Sequence, residues 1–356
     1  MNKETANHID ELLYDSGLFP SKIKNLKNIV SFDFSDEIIL ITGAAGSIGS
    51  GLTKQLINCK YKKLILVDVA ESPLYVLIKE LEFEDVNHID FVLLNVTDED
   101  SLKDLFEANT PSIIFHTAAY KHVPLMEDNA YEAVKLNIFG TKLLADLSLK
   151  YKVKKFIFIS TDKAVNPVSV MGMTKQIGET YLSFLNEKSE TEFITARFGN
   201  IFGSNGSVVP LFKKQIEFGH PLTITNNDIS RYFISKYKAC NLILKLASTR
   251  DYQSDSFTFN MGEPIKILDI IERLLLCYDN LENIPEIKVI GLRPGEKLNE
   301  DIISADEILL STEYEDILAI KQKNDSKSIK IDFTPLSNMT PYMSNKEIKS
   351  ILLNYI

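Results

Sequence analysis

The sequence predicts a doubly wound α/β domain, a mostly parallel sheet with helices on both faces, followed by a smaller C-terminal lobe. Three observations predict it. Short runs rich in Ile, Val and Phe alternate with helical patterns up to about residue 200. The first run passes straight into a glycine-rich turn and a helical segment. Beyond residue 200 the alternation loosens into Gly, Pro and Asn clusters such as "GNIFGSNGSVVP", "ITNNDIS" and "GLRPGEK".

In chain order, residues 1–35 form a polar extension. Its "HIDELLYDSGLF" has apolar residues at helical spacing and Gly17 as a stop, predicting one or two short helices that pack on the main body or on a partner subunit. Buried parallel strands read as near-continuous apolar runs. Those at 37–43, 63–69, 89–96, 112–118, 154–161 and 192–198 fit, with helical segments such as "EAVKLNIFGTKLLADLSLKY" between them. The predicted division is 1–35 as extension, 36–200 as nucleotide-binding domain and 201–356 as substrate lobe. That lobe consists mainly of 201–235 and 262–356, with a late sheet strand near 256–260. The polar "KQKNDSKSIK" reads as a mobile linker.

Composition narrows the function classes. With 45% hydrophobic and 25% charged residues the chain is globular, and its net charge of -10 disfavours a general nucleic-acid or anionic-membrane surface. Three scattered cysteines, Cys59, Cys240 and Cys277, suit a reducing compartment, with no disulfide framework and no metal site expected. No apolar run approaches the ~18 residues of a membrane span, and the N-terminus has no signal-peptide pattern. The expectation is a cytoplasmic protein.

The first strand enters "TGAAGSIGSGL", where Gly43, Gly46 and Gly49 make G-x-x-G-x-x-G. Glycines there let the backbone turn and approach a pyrophosphate at the helix N-terminus, with Ala45, Ser47 and Ile48 around it. This is the signature of a Rossmann dinucleotide site. Asp68 ends the second strand, 19 residues after Gly49. A carboxylate there accepts both ribose hydroxyls of NAD and repels the 2′-phosphate of NADP; the alternative is a strand-end cap. Asn95 and Val96 end the third run, on the adenine side, and Ala118 and Ala119 follow the fourth, where small side chains permit close approach to the cofactor.

"TGAAGSIGS", "HTAAYKHVPLMEDN", "NIFGT", "STDKAVNPVSVMGMTK", "RFGNIFGSNGSVVP", "ISRYF" and "LRPGEKLNE" occur in this order. Together they resemble the extended short-chain dehydrogenases/reductases, specifically the UDP-N-acetylglucosamine 4,6-dehydratases of the CapD-like polysaccharide-biosynthesis family. The resemblance spans about residues 36–305. It implies NAD as cofactor, UDP-N-acetylglucosamine as substrate, a homo-oligomer (dimer or hexamer), and a lean toward retained configuration at carbon 5.

The resemblance also implies site roles. The usual Tyr-x-x-x-Lys of short-chain dehydrogenases reads Met171 and Lys175 here, and a thioether moves no proton. Lys175 bonds the nicotinamide ribose. Asp162 serves as acid if burial and the absence of a close cation keep it protonated, and Lys163 as base if neutral. Thr161 orients the carbon-4 oxygen. Which group takes the carbon-4 hydroxyl proton stays open between Thr161, assisted by its neighbours, and a bound water. Lys121 and His122 face the sugar, His122 being equally readable as a satisfied loop histidine. Asn200 and Arg231 meet the phosphates, Ser207 and Val208 the uracil, Arg293 the diphosphate and Glu300 the uridine ribose hydroxyls, with Glu296 a further substrate-binding residue. A UDP-sugar 4-epimerase would want the tyrosine and has no use for the Asp–Lys pair. A non-catalytic NAD-binding scaffold has no need of Asp162, Lys163, Lys175 and Arg293 together.

Overall fold

A computed structural model describes residues 1–19, 31–249, 254–278, 283–324 and 329–356. Its centre is a nine-stranded sheet. The strands are β1 (Asp33–Thr42), β2 (Lys60–Asp68), β3 (Ile89–Leu93), β4 (Ile113–His116), β5 (Lys155–Thr161), β6 (Glu192–Phe198), β7 (Ser256–Phe259), β8 (Glu307–Ser311) and β9 (Ile317–Gln322), in the order β8-β9-β7-β6-β5-β4-β1-β2-β3. Strands β1 to β7 pair in parallel, and β9 runs antiparallel to both β7 and β8. The doubly wound fold class is therefore correct.

Burial on both faces explains the apolar runs. Ile39, Leu40 and Ile41 alternate between two clusters, one on each face, and all are 0% exposed. Each such side chain contributes roughly 1.5–3 kcal/mol on leaving water. The strand order reverses between β1 and β4, the place where open α/β sheets form a ligand crevice at their carboxyl ends. Register aligns Thr42 with His116 and Thr161 with Phe198, so the segments that follow these strands emerge at one edge.

The predicted boundaries need three corrections. First, β3 ends at Leu93, so Asn95 and Val96 lie in the following loop, where Asn95 Oδ1 accepts from the Thr97 backbone N–H at 3.0 Å. Second, β8 and β9 extend the main sheet, so residues 307–322 are not part of a separate lobe. Third, β9 occupies the start of the expected linker; residues 325–328 of that segment lie outside the described ones. The C-terminal segment also returns to the first domain, since Leu336, Ile348 and Leu352 belong to its core beside Val170 and Met171.

The smaller lobe has its own core of Phe202, Phe212, Leu222, Phe233, Ile270 and Leu274. The N-terminal helix Lys3–Asp15 packs there through Ile9, Leu12 and Leu13, and Arg273 pairs with Asp10. Gly17 follows it in the left-handed region at φ 68°, as a helix stop requires. Residues 20–30 of the predicted extension lie outside the described ones. No helix among the described residues is long and apolar enough to cross a membrane.

Candidate active site

The β1 turn is built around glycine. Gly43 has φ +67°, and a Cβ on it would lie 2.7 Å from Ala118 Cα. A Cβ on Gly49 would lie 2.3 Å from the Gly43 carbonyl oxygen. Gly46 caps the helix Ser47–Leu56 with extended backbone, leaving that helix's N-terminal N–H groups at the sheet edge. Asp68 faces this turn: Oδ2 accepts from Ala45 N and Oδ1 from Ala70 N, both at 2.9 Å. The carboxylate is thus a strand-end cap as well as an acceptor, because each oxygen keeps a second lone pair.

Beside the turn lies a cavity of about 590 Å³. Its lining includes Gly46, Ser47, Ile48, Ala119, Lys121, His122, Thr161, Lys163, Met171, Lys175, Asn200, Ser207 and Val208. Segments far apart in sequence converge because they leave the carboxyl ends of β1, β4, β5 and β6.

Thr161 ends β5, and Asp162–Ala164 form one 3-10 turn. Asn166, at φ 42°, and Pro167 then redirect the chain into the helix Val170–Asn186. Gly172 lets this helix touch the turn: a Cβ there would lie 2.2 Å from the Lys163 carbonyl oxygen. Asp162 is 0% exposed. Its Oδ1 accepts from Thr161 Oγ1 and from Lys163 Nζ, each at 2.9 Å, while its buried Oδ2 has no protein partner. Lys163 Nζ also donates to Asn200 Oδ1 at 3.0 Å. The expectation that Asp162 lacks a close cation is therefore corrected: the long side chain of the adjacent lysine folds back onto it.

Met171 is buried and lines the cavity. Lys175 is 6% exposed; its Nζ donates to the Ile159 carbonyl at 2.8 Å and lies 4.3 Å from the centre of the Phe158 ring. Burial pulls its pKa from 10.5 to about 7, against the opposing pull of Glu179. Glu179 is itself engaged by Arg197, which also binds Glu307 at 2.8 Å and so ties this helix to β8. Behind Lys175, His116 sits between Thr42 Oγ1 at 2.7 Å and Thr141 Oγ1 at 2.9 Å. Burial and then Lys175 push its pKa down to about 3, so it is neutral.

The loop after Asn200 crosses the cavity. Lys121 Nζ donates to the Asn205 carbonyl at 2.9 Å, Asn205 N donates to Ser47 Oγ at 3.0 Å, and the His122 ring lies where a Cβ on Gly206 would fall. Burial lowers the pKa of Lys121, and burial together with Lys121 lowers that of His122.

The remaining expected residues stand outside the lining. Arg231 is buried, and its guanidinium donates to the carbonyls of Ser230, Leu298 and Lys297 at 2.7 Å each. It holds the 297–298 segment here. Glu296 accepts from Thr225 Oγ1 at 3.2 Å and from Arg293 N at 3.0 Å. Arg293 is exposed, with no hydrogen bond or ion pair to its guanidinium among the described residues. Glu300 is buried; its Oε2 lies 3.6 Å from Lys297 Nζ and has no hydrogen-bond partner among the described residues. Burial first, then the charges of Lys163 and Asp162, act on it, with the net effect of raising its pKa.

Sequence reasoning missed Asn137 as a site residue. It lies in a π-helical stretch, Val134–Gly140, and is 0% exposed. Its Oδ1 accepts from Tyr120 N at 2.9 Å and its Nδ2 donates to Thr174 Oγ1 at 3.0 Å, joining the cavity wall to the Lys175 helix. The signal was "NIFGT", since an Asn inside an apolar helix is costly to bury without a tertiary role.

Residues 39–322 match the family described as polysaccharide biosynthesis proteins. The chain is 41% identical to the capsular polysaccharide biosynthesis protein CapD of Staphylococcus aureus over 81% of its own length, and spans 49% of that relative. It is 35% identical to a Campylobacter jejuni UDP-N-acetylglucosamine 4,6-dehydratase (inverting), covering 84% of this chain and 85% of the relative. The chain spans about half the length of the first two curated relatives it matches, 49% of CapD and 47% of a Bacillus subtilis EpsC protein. Among solved structures, Pen from Bacillus thuringiensis superposes with a TM-score of 0.72 at 30% identity, covering 90% of this chain and 98% of Pen. By the extent of these matches, the chain belongs to the polysaccharide biosynthesis protein family, within the extended short-chain dehydrogenase/reductase fold.

Proposed function

We propose that this protein is an NAD-dependent 4,6-dehydratase acting on UDP-N-acetylglucosamine. The observation that carries the proposal is the Asp162–Lys163 pair, whose Lys163 lines the same cavity as Met171 and Lys175. The glycine turn fits a dinucleotide, because the positions a Cβ would fill at Gly43 and Gly49 are closed to any larger residue. Gly43, Gly46 and Gly49 would hold its phosphates, Asp68 the adenosine ribose, and Lys175 the nicotinamide ribose. When bound, NAD supplies a hydride acceptor for carbon 4 of the sugar and a hydride donor for carbon 6.

The residues then divide the proton traffic. Thr161 orients the carbon-4 oxygen, whose hydroxyl proton leaves through Thr161 to its neighbours or to a bound water as the hydride departs. With a ketone at carbon 4, the carbon-5 proton becomes acidic enough for an amine to remove. Asp162 and Lys163, 2.9 Å apart, are placed to pass a proton between them, Asp162 in the role of acid and Lys163 in that of base. Lys163 takes the carbon-5 proton, and Asp162 protonates the departing 6-hydroxyl. Met171 packs and moves no proton. The names of the Campylobacter relatives support the reaction class.

Incubation with UDP-N-acetylglucosamine followed by proton NMR tests the proposal. A 4-keto-6-deoxy product supports it, and its carbon-5 configuration distinguishes retention from the inversion in those relatives' names. UDP-N-acetylgalactosamine would instead assign an epimerase, and an unchanged substrate would refute both enzymatic readings.

A further inference from the structure

We infer that Glu127 is a positioning residue through which the C-terminal helix Asn345–Leu352 fixes the start of the helix Val170–Asn186, and with it Met171 and Lys175. Glu127 ends the short helix Val123–Glu127, which follows directly on Lys121 and His122. Its carboxylate is shared. Oε1 accepts from Val170 N at 2.7 Å, and Oε2 takes Lys349 Nζ at 2.7 Å. The Val170 N–H is one of the donors a helix leaves unpaired at its N-terminus. Ser169 caps Gly172 N at 3.1 Å, so Glu127 satisfies a second donor and adds negative charge at the positive end of the helix dipole.

Two further contacts converge here. A Cβ on Gly295, at φ +74°, would lie 2.8 Å from Glu127 Oε1 and 2.9 Å from Ser169 Cβ, so the Arg293–Gly295 turn closes over this carboxylate. Asn345, the first residue of the C-terminal helix, donates to the Asp128 carbonyl at 2.9 Å and accepts from Ala130 N at 3.0 Å. Ile348 and Leu352 share the core that holds Val170 and Met171. Moving Lys349 releases Oε2 and loosens the carboxylate, so that its Oε1 bond to Val170 N, beside Ser169 and packing, is left without the tether to the C-terminal helix. Met171 and Gly172, which touches the Lys163 carbonyl, are the residues that shift first.

The inference rests on the proposed reaction only for its turnover readout. The test compares wild type with Glu127→Ala, Glu127→Gln and Lys349→Met in the full chain. It reads kcat and KM for UDP-N-acetylglucosamine, and hydrogen exchange of the 170–175 amides. Glu127→Ala should lower kcat about tenfold with KM changed less than about twofold, and speed exchange of the first turn about tenfold. Glu127→Gln keeps an acceptor for Val170 N and should recover kcat to within about threefold of wild type, with Lys349→Met between the two. Wild-type kcat and exchange in Glu127→Ala would overturn the inference, as would an equal loss in Glu127→Gln, or a rise in KM at unchanged kcat. A wild type that turns over no substrate would refute the proposed function instead, and the exchange comparison would still decide the coupling.

Discussion

Lys175 is costly to bury as a cation, and its replacement by methionine should show this as a pH-dependent gain in stability. Its pKa falls from 10.5 to about 7 on folding. At ~1.36 kcal/mol per tenfold change in proton affinity, the charged side chain burdens the folded state by roughly 5 kcal/mol. The sign follows from proton counts. Between about pH 7 and 10.5 the unfolded chain holds a proton that the folded chain lacks, so this group makes stability rise with pH. Below pH 7 both states are charged and the full penalty applies. Lys175→Met removes the titration while filling similar space, at the loss of the Ile159 hydrogen bond and the Phe158 ring contact. Urea unfolding of the cofactor-free protein at pH 7 and pH 9 measures the effect. Stability of the wild type should gain on that of the variant by roughly 2 kcal/mol between these pH values. His116 stays neutral across this range and does not contribute. A stability difference that changes by less than about 0.5 kcal/mol would refute the buried, titrating lysine.

Three further outcomes follow from the site. Asp68→Ala should weaken NAD binding and narrow the preference over NADP, because the carboxylate both repels a 2′-phosphate and holds Ala45 N; equal NADP binding by wild type would refute this. Arg293→Ala should reduce UDP affinity by about one to two decades at unchanged melting temperature, the side chain being exposed and its contact charge-assisted, as calorimetry can measure. Met171→Leu conserves volume and should cost less than about 1.5 kcal/mol in stability while keeping most turnover; lost turnover with intact NAD binding would contradict a packing role.

The sequence made the parallel strands legible because each is buried on both faces, and the glycine turn legible because Gly43 and Gly49 leave no room for a side chain. Strands β8 and β9 were harder to read. "EILLS" and "ILAIKQ" are short apolar runs, but only pairing with β7 shows that they continue the sheet. Thr161, Asp162 and Lys163 were legible as a set, since they follow one another at the end of a buried strand. The Lys163–Asp162 contact was not, because it depends on the turn's conformation. The same holds for Arg231, which a motif offers to a ligand and the fold gives to three backbone carbonyls. Glu127 and Asn137 act across 43 and 37 residues of sequence, through contacts that no local pattern announces.

Proton removal at carbon 5 by Lys163 is best tested in deuterated water with UDP-N-acetylglucosamine. Wild type should form the 4-keto-6-deoxy sugar with solvent deuterium at carbon 5. Lys163→Ala should bind NAD normally and show NADH absorbance on adding substrate, with no deuterium at carbon 5 and no 6-deoxy product. Normal dehydration by Lys163→Ala, with carbon-5 deuterium incorporated as in wild type, would contradict the role of this pair.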